Sequence, residues 1–253
     1  MTAKPRVGLF VTCLVDLVRP QVGFAAVKLL EDAGCEVVVP PSQTCCGQPA
    51  WNSGADRHAA GIARQVVDAF EGFDYVVAPS GSCAGTLRVH YPEILANDSA
   101  YAPRARALAA KTHELVSFLV NIRKVERVAA SCAARACYHD SCSSLREMKV
   151  RDEPRKLLAG VEGLSLSELS DPEVCCGFGG LFAVKYPAIS ERMADDKIAD
   201  AEKAGAQLLT GGDLGCLLHL AGRAARKDKS LKVQHVAEIL AGMSNEPALG
   251  EQA

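Results

Sequence analysis

A chain of 253 residues with 49% hydrophobic and 23% charged residues is long enough to bury one large core or two small ones without disulfide staples. The 28 Lys and Arg residues against 30 Asp and Glu leave a formal charge of −2, so no global field attracts nucleic acid or an anionic lipid surface, and 5% aromatic residues are too few for stacking platforms. No apolar run approaches the roughly 18 to 20 residues of a membrane span, and MTAKPRVGLF has neither the long apolar stretch nor the cleavage site of a secretory signal, which predicts a cytoplasmic protein.

In chain order, RVGLFVT (6–12) is a short apolar, β-branched run that leads into Cys13. Apolar residues at helical spacing follow at 20–33, and EVVVP (36–40) then leads to the adjacent pair Cys45 and Cys46. A second helical segment spans 54–71, YVVAPS (75–80) runs into Cys83, and PRARALAAKTHELVSFLVNI (103–122) reads as one helix. The second half opens with ERVAAS (126–131) and ACYHD (136–140) as two strands, with Cys132 and Cys137 flanking the turn between them and Cys142 beyond. GLSLSEL (163–169) leads to Cys175 and Cys176, AQLLTGG (206–212) leads to Cys216, and SNEPALGEQA (244–253) reads as a frayed tail. Strands alternating with helices predict βαβ units around a parallel sheet.

The chain repeats itself. TCCGQPAWNSG, from Thr44, and VCCGFGGLFAVKYP, from Val174, each place a vicinal cysteine pair before glycine. Another cysteine stands 32 positions before the first pair and 33 before the second, and a further one 37 and 40 positions after. The expected fold is therefore α/β, built as two pseudo-symmetric repeats over 1–123 and 124–243. Each has a small parallel sheet flanked by helices, with cysteines in loops at the carboxyl ends of strands, where open sheets build sites.

Eleven cysteines in a reducing compartment do not form a disulfide framework, and adjacent cysteines are awkward partners for each other. Thiolates are soft ligands for zinc, copper(I) or iron-sulfur clusters. Structural zinc sites usually draw on closely spaced knuckles, and this chain has no CxxC. Dispersed cysteines suit an iron-sulfur site, where glycine after each pair lets the backbone approach inorganic sulfide.

Cys13, Cys45-Cys46-Gly47 and Ser80-Gly81-Ser82-Cys83, repeated as Cys142, Cys175-Cys176-Gly177 and Asp213-Leu214-Gly215-Cys216, resemble the duplicated cysteine-rich CCG domain. That family includes the B subunit of heterodisulfide reductase and the iron-sulfur subunits of glycolate oxidase and anaerobic glycerol-3-phosphate dehydrogenase. VGLFVTCLVDLVRPQVGFAAVKLLEDAGCEVVVPPSQTCCGQP, APSGSC, CCGFGGLFAVKYP and GGDLGCLLHLAGR are similar more specifically to its lactate-utilization branch, over about Val7 to Gly242. The resemblance implies an iron-sulfur electron-transfer subunit of an NAD-independent L-lactate-oxidising complex that converts lactate to pyruvate. Two companion subunits and an electron acceptor would be its partners. It also implies iron-sulfur clusters, one per repeat, held by Cys13, Cys45, Cys46 and Cys83 and by Cys142, Cys175, Cys176 and Cys216. The fullest family pattern ends each module in CxxC, and here the first position of that pair is Ser80 or Asp213. Four cysteines per module suit a four-iron cluster by count, and the five-cysteine noncubane type is not implied. Ser80 and Asp213 then stand as accessory oxygen ligands or as open positions.

His139 and Asp140 precede Cys142 closely enough to tune a metal site or shuttle a proton, or to form a structural pair. Cys132 and Cys137 are accessory candidates, whereas Cys35, without a counterpart, reads as structural. His90, His219, Arg88, Lys185 and Tyr186 follow the motifs and read mainly as surface or packing residues. GFGG at 177–180 lacks the full dinucleotide pattern. Two further functions compete with the cluster reading: a zinc-stabilised scaffold without redox activity, and a thiol-disulfide oxidoreductase that uses the vicinal cysteines directly.

Overall fold

The computed structural model describes residues 3–251, which fall into two compact units, the first ending at Lys124 and the second beginning at Val125. In the first unit β1 (Arg6–Leu9), β2 (Glu36–Val38), β3 (Tyr75–Ala78) and β4 (Thr112–Glu114) form a parallel sheet in the order β2-β1-β3-β4. Val7 of β1 pairs with Val37 on one side and Tyr75 on the other. The inner strands β1 and β3 are buried along nearly their whole length, as continuous apolar runs in a parallel sheet are.

Helices supply the cover. Pro20 opens the helix Pro20–Asp32, where its missing N–H costs nothing, and Val22, Ala25, Ala26, Leu29 and Leu30 form its buried stripe. The helix Asp56–Phe70 buries Ala59, Ala63, Val66, Val67 and Phe70 at the same period. Gly8 lets this layer approach β1, because a Cβ there would stand 2.8 Å from the rings of both Phe70 and Phe73.

The second unit repeats the plan with β5 (Ser131–His139), β6 (Glu162–Ser167), β7 (Leu208–Gly211) and β8 (Lys232–His235), in the order β6-β5-β7-β8 and again all parallel. The helices Pro187–Lys203 and Leu214–Arg226 pack Ala194, Ile198 and Ala201, and Leu217, Leu220 and Ala224, into its core.

In each unit the chain leaves the first strand toward one edge and the third strand toward the other. The carboxyl ends of these two neighbouring strands therefore flank a topological switch point, the crevice where open α/β sheets place their sites.

Several expectations need correction. The segment 103–122 is not one helix: it runs as a helix only over Ala102–Ala110, then forms β4, then a short helical stretch from Leu115 that widens into a π-turn over Phe118–Ile122. Thr112 and Glu114 are buried in β4 because tertiary pairing with Val76 and Ala78 overrides local helical preference. ERVAAS does not form a strand over 126–130; β5 starts at Ser131 and continues unbroken past Ala136. β8 is a further strand beyond those expected, added at the edge beside β7. The tail is held over 244–251: Ser244 Oγ donates to the Ser131 carbonyl at 2.9 Å, the Leu249 amide donates to the Val233 carbonyl at 2.8 Å, and Ala248 and Leu249 are buried. Residues 1–2 and 252–253, the outer ends of the expected first repeat and tail, lie outside the described residues.

Candidate metal centres

Three connections bring four sulfurs of the first unit together. Cys13 is the first residue of the helix Cys13–Val18 that follows β1, capped by Thr12, whose hydroxyl accepts from the Val15 amide at 3.4 Å. Cys45 and Cys46 lie in the loop after β2. Cys83 is the third residue of the helix Gly81–Gly85 that follows β3. The expectation of cysteines in loops therefore sharpens: the vicinal pair is in a loop, and the outer two stand in first helical turns. Cys13 Sγ lies 3.8 Å from Cys45 Sγ, and Cys46 is hydrogen-bonded to both Cys45 and Cys83, so the thiols form one continuous row. The Gly47 amide donates to Cys45 Sγ at 3.4 Å, from a backbone at φ 82 that glycine adopts freely. An open cleft of about 290 Å³ reaches Cys13 and Cys45, with Asp16, Leu17 and Gln43 in its wall.

The second unit builds the same row. Cys142 begins the helix Cys142–Arg146 after β5, capped by Ser141. Cys175 and Cys176 lie beyond β6, and Cys216 is the third residue of Leu214–Arg226 after β7. Hydrogen bonds link Cys142 to Cys175, Cys175 to Cys176, and Cys176 to Cys216. The Gly177 amide reaches Cys175 Sγ at 3.3 Å and the Phe178 amide reaches Cys176 Sγ at 3.5 Å.

Proton sharing along each row has a consistent direction. Cys45 is driven far below the usual thiol range by the hydrogen bond from Cys13, then by the one from Cys46, with the Gly47 amide adding to both. Cys175 is lowered in the same way by Cys142, Cys176 and Gly177. The donors Cys13 and Cys142 are correspondingly raised, first by that hydrogen bond and then by burial. In each row the thiolate is favoured at the first cysteine of the vicinal pair, and a bound metal would displace the remaining protons. All eleven cysteines are free thiols. Contiguous sulfurs, amide donors aimed at them and partial burial fit a thiophilic metal or cluster.

Ser80 and Asp213 are both helix N-cap residues, where Ser and Asp are favoured. Ser80 Oγ accepts from the Cys83 amide at 3.4 Å, which accounts locally for a hydroxyl where the fullest motif has cysteine. The hydrogen bond with Cys176 lowers Cys216, but burial and then the Asp213 carboxylate outweigh it and leave Cys216 raised. Asp140 pairs with Arg155 and not with His139: it accepts from Arg155 at 3.0 and 2.8 Å, and Arg155 also binds Glu168 and lies over the Tyr138 ring.

Cys132 and Cys137 do not flank a turn. They lie on the single strand β5, about 16 Å apart at 3.2 to 3.4 Å per residue. Burial, the largest cause, pushes the Cys137 thiol up to about 12, and burial also raises Cys132 and Cys35. Arg88 donates to the Thr112 carbonyl at 2.8 Å, His90 lies beside Trp51 and Glu93, and His219 Nε2 lies 3.2 Å from Ser190 Oγ. Lys185 and Tyr186 are exposed. His139 is different: it ends β5 at 1% exposure, and burial lowers its imidazole to about 4, leaving it neutral.

Four supporting residues were not singled out in the sequence. Gln43 pins the first loop to β1, accepting from the Val11 amide at 2.8 Å and donating to the Leu9 carbonyl at 3.3 Å. Tyr91 donates to the Cys46 carbonyl at 2.9 Å. In the second unit Lys197, 2% exposed, donates to the Asp171 carbonyl at 2.6 Å, and Asp200 accepts from the Ser170 and Asp171 amides at 3.0 Å. Only the glutamine's position two residues before a cysteine pair offered any local signal.

The cysteine-rich CCG domain family matches residues 7–88 and again 136–221. Lactate utilization protein A of Geobacillus kaustophilus is 51% identical over 235 residues, 93% of this chain and 98% of that protein. The protein of the same name from Bacillus subtilis is 48% identical over the same shares. Among solved structures, a hypothetical protein from Helicobacter pylori superposes with a TM-score of 0.69 at 12% identity, which speaks for the fold alone. The alignment covers 99% of this chain, which spans 50% of that one. Among the described residues no helix is long and apolar enough to cross a membrane.

Proposed function

The chain belongs to the family of the cysteine-rich CCG domain, which it carries twice, and from that premise we propose that each unit holds one iron-sulfur cluster and that the protein relays electrons in lactate utilization. The observation that carries this reading is the pair of matching thiol rows, Cys13-Cys45-Cys46-Cys83 and Cys142-Cys175-Cys176-Cys216, each at a sheet's switch point. When bound, such a cluster supplies one-electron redox chemistry.

The chain's own residues do the rest. Buried Cys46, Cys83 and Cys176 keep water from the inner side of the rows, while half-buried Cys13, Cys45, Cys142, Cys175 and Cys216 form the outer side, through which electrons pass to and from partners. Gly47, Gly177 and Phe178 donate amide hydrogen bonds to sulfur, which favours the anionic ligand and the reduced state. The partners in this reading are a companion subunit that oxidises L-lactate to pyruvate and an electron acceptor.

The test is direct. Adding L-lactate and the companion lactate-oxidising proteins to the oxidised, oxygen-free protein is expected to bleach its visible sulfur-to-iron absorption. Bleaching by dithionite but never by lactate with the companions overturns the relay. A second reading, a zinc-held scaffold, draws on one observation: His139, Cys176 and Cys216 offer three donor atoms within 4.8 Å of one another, a mixed set that zinc accepts.

A further inference from the structure

The four-cysteine reading of the second unit gives no task to a buried imidazole at the carboxyl end of β5. Among the described residues neither ring nitrogen of His139 has a hydrogen-bond partner. An unsatisfied buried polar group is costly, and folded interiors leave few. The imidazole is not stranded in hydrocarbon: a ring nitrogen, Cys176 Sγ and Cys216 Sγ all lie within 4.8 Å of one another. The residue register contributes to this placement. His139 ends β5 opposite Gly211 of β7, and a Cβ at Gly211 would stand 3.1 Å from the His139 carbonyl oxygen and 3.6 Å from the His139 Cβ. The glycine therefore lets β7 lie close against the His139 backbone.

The first unit is built differently at the same place. Phe10 stands three residues before Cys13, as His139 stands three before Cys142. Phe10 is fully buried against the ring of Phe70, with centroids 5.6 Å apart. A phenyl ring has no lone pair to offer a metal, whereas a neutral imidazole is a good donor to iron.

Resting on the reading that the thiol rows hold iron-sulfur clusters, we propose that His139 is a direct iron ligand of the second unit's centre, bound beside Cys176 and Cys216. The two centres then differ in kind: the first is held by sulfur alone, and the second by sulfur plus one imidazole nitrogen. The bond formed is a lone-pair donation from a neutral ring nitrogen, and no proton or electron is exchanged in making it. An added nitrogen donor changes the electron density at its iron, so the two centres acquire different reduction potentials and give the relay a direction.

The experiment uses the full chain, purified without oxygen and loaded with iron, made once with ordinary histidine and once with nitrogen-15 histidine. Pulsed electron paramagnetic resonance is recorded on whichever oxidation state is paramagnetic, with iron, sulfide and zinc measured on the same sample. The expected result is a strong coupling to a directly bound nitrogen whose pattern changes with the label. It disappears in His139→Phe, while one of two reduction potentials shifts and the other stays. The wild-type labelling does not depend on how any variant folds, and His139→Gln provides a second variant that keeps a polar side chain. Absence of histidine-nitrogen coupling in protein that carries iron and sulfide overturns the ligand assignment and leaves the cluster reading standing. Coupling that persists in both variants overturns it as well. Protein that carries zinc or no metal overturns the cluster reading, and this inference falls with it.

Discussion

Replacing Cys45 and Cys46 together by serine is expected to remove about half of the protein's iron and sulfide while leaving the share of the second unit in place. The pair is central to its row: Cys45 is the position where thiolate is favoured and lies 3.8 Å from Cys13 between sulfurs, and Cys46 connects Cys45 to Cys83. Serine preserves the volume but substitutes a hard oxygen that is protonated at neutral pH, so the site loses two of its four soft donors. The core beneath, from Val7 and Leu9 through Val76 and Val77, is untouched, and circular dichroism should remain native. The matching variant of Cys175 and Cys176 should remove the other half. Unchanged iron and sulfide in the first variant would sink the assignment of that row.

The second large effect separates the two motif glycines. Gly177→Ala is expected to destabilise the second unit by about 3 kcal/mol or more and to empty its site. At φ 90 the backbone is already unsuited to a side chain, and the new Cβ would stand 2.5 Å from the Ser190 carbonyl oxygen and 2.9 Å from Met193 Cβ. Relief requires the loop to move, which pulls the Gly177 amide away from Cys175 Sγ and breaks the Ser190 Oγ bond to the Gly177 carbonyl at 2.7 Å. Gly47→Ala meets only the Ile62 side chain, at 3.2 Å, with φ 82 as its main penalty, so a cost of about 1 kcal/mol is expected. Chemical denaturation and metal content of the two variants, measured side by side, check this ordering. Equal effects would mean that the Ser190 contact does not fix the second loop.

The parallel α/β architecture was legible because β-branched apolar runs such as YVVA end just before a cysteine, a pattern that propensity and burial both support. The strand Thr112–Glu114 was not legible: three residues carry no period, and helix-favouring sequence lies on both sides. Much of β5 was hidden for a related reason, since the Ala-rich SCAARA lacks the β-branched residues that mark a strand. At the site, duplicated spacing showed which eight cysteines belong together in two sets of four. The partners that hold the loops were invisible, because Lys197 sits in the charged run ADDKIADAEK and nothing local marks it as buried. Ser80 and Asp213 looked like departures from a ligand motif, and only the helix that each precedes reveals the N-cap that accommodates both residues.

The cluster assignment is tested most directly by quantifying iron, acid-labile sulfide and zinc in protein purified without oxygen, with electron paramagnetic resonance before and after reduction. Two clusters held by two thiol rows predict iron and sulfide in similar amounts, little zinc, and a signal that changes on reduction. Stoichiometric zinc without iron or sulfide, and no signal in either state, would contradict the account and leave a metal-held scaffold in its place.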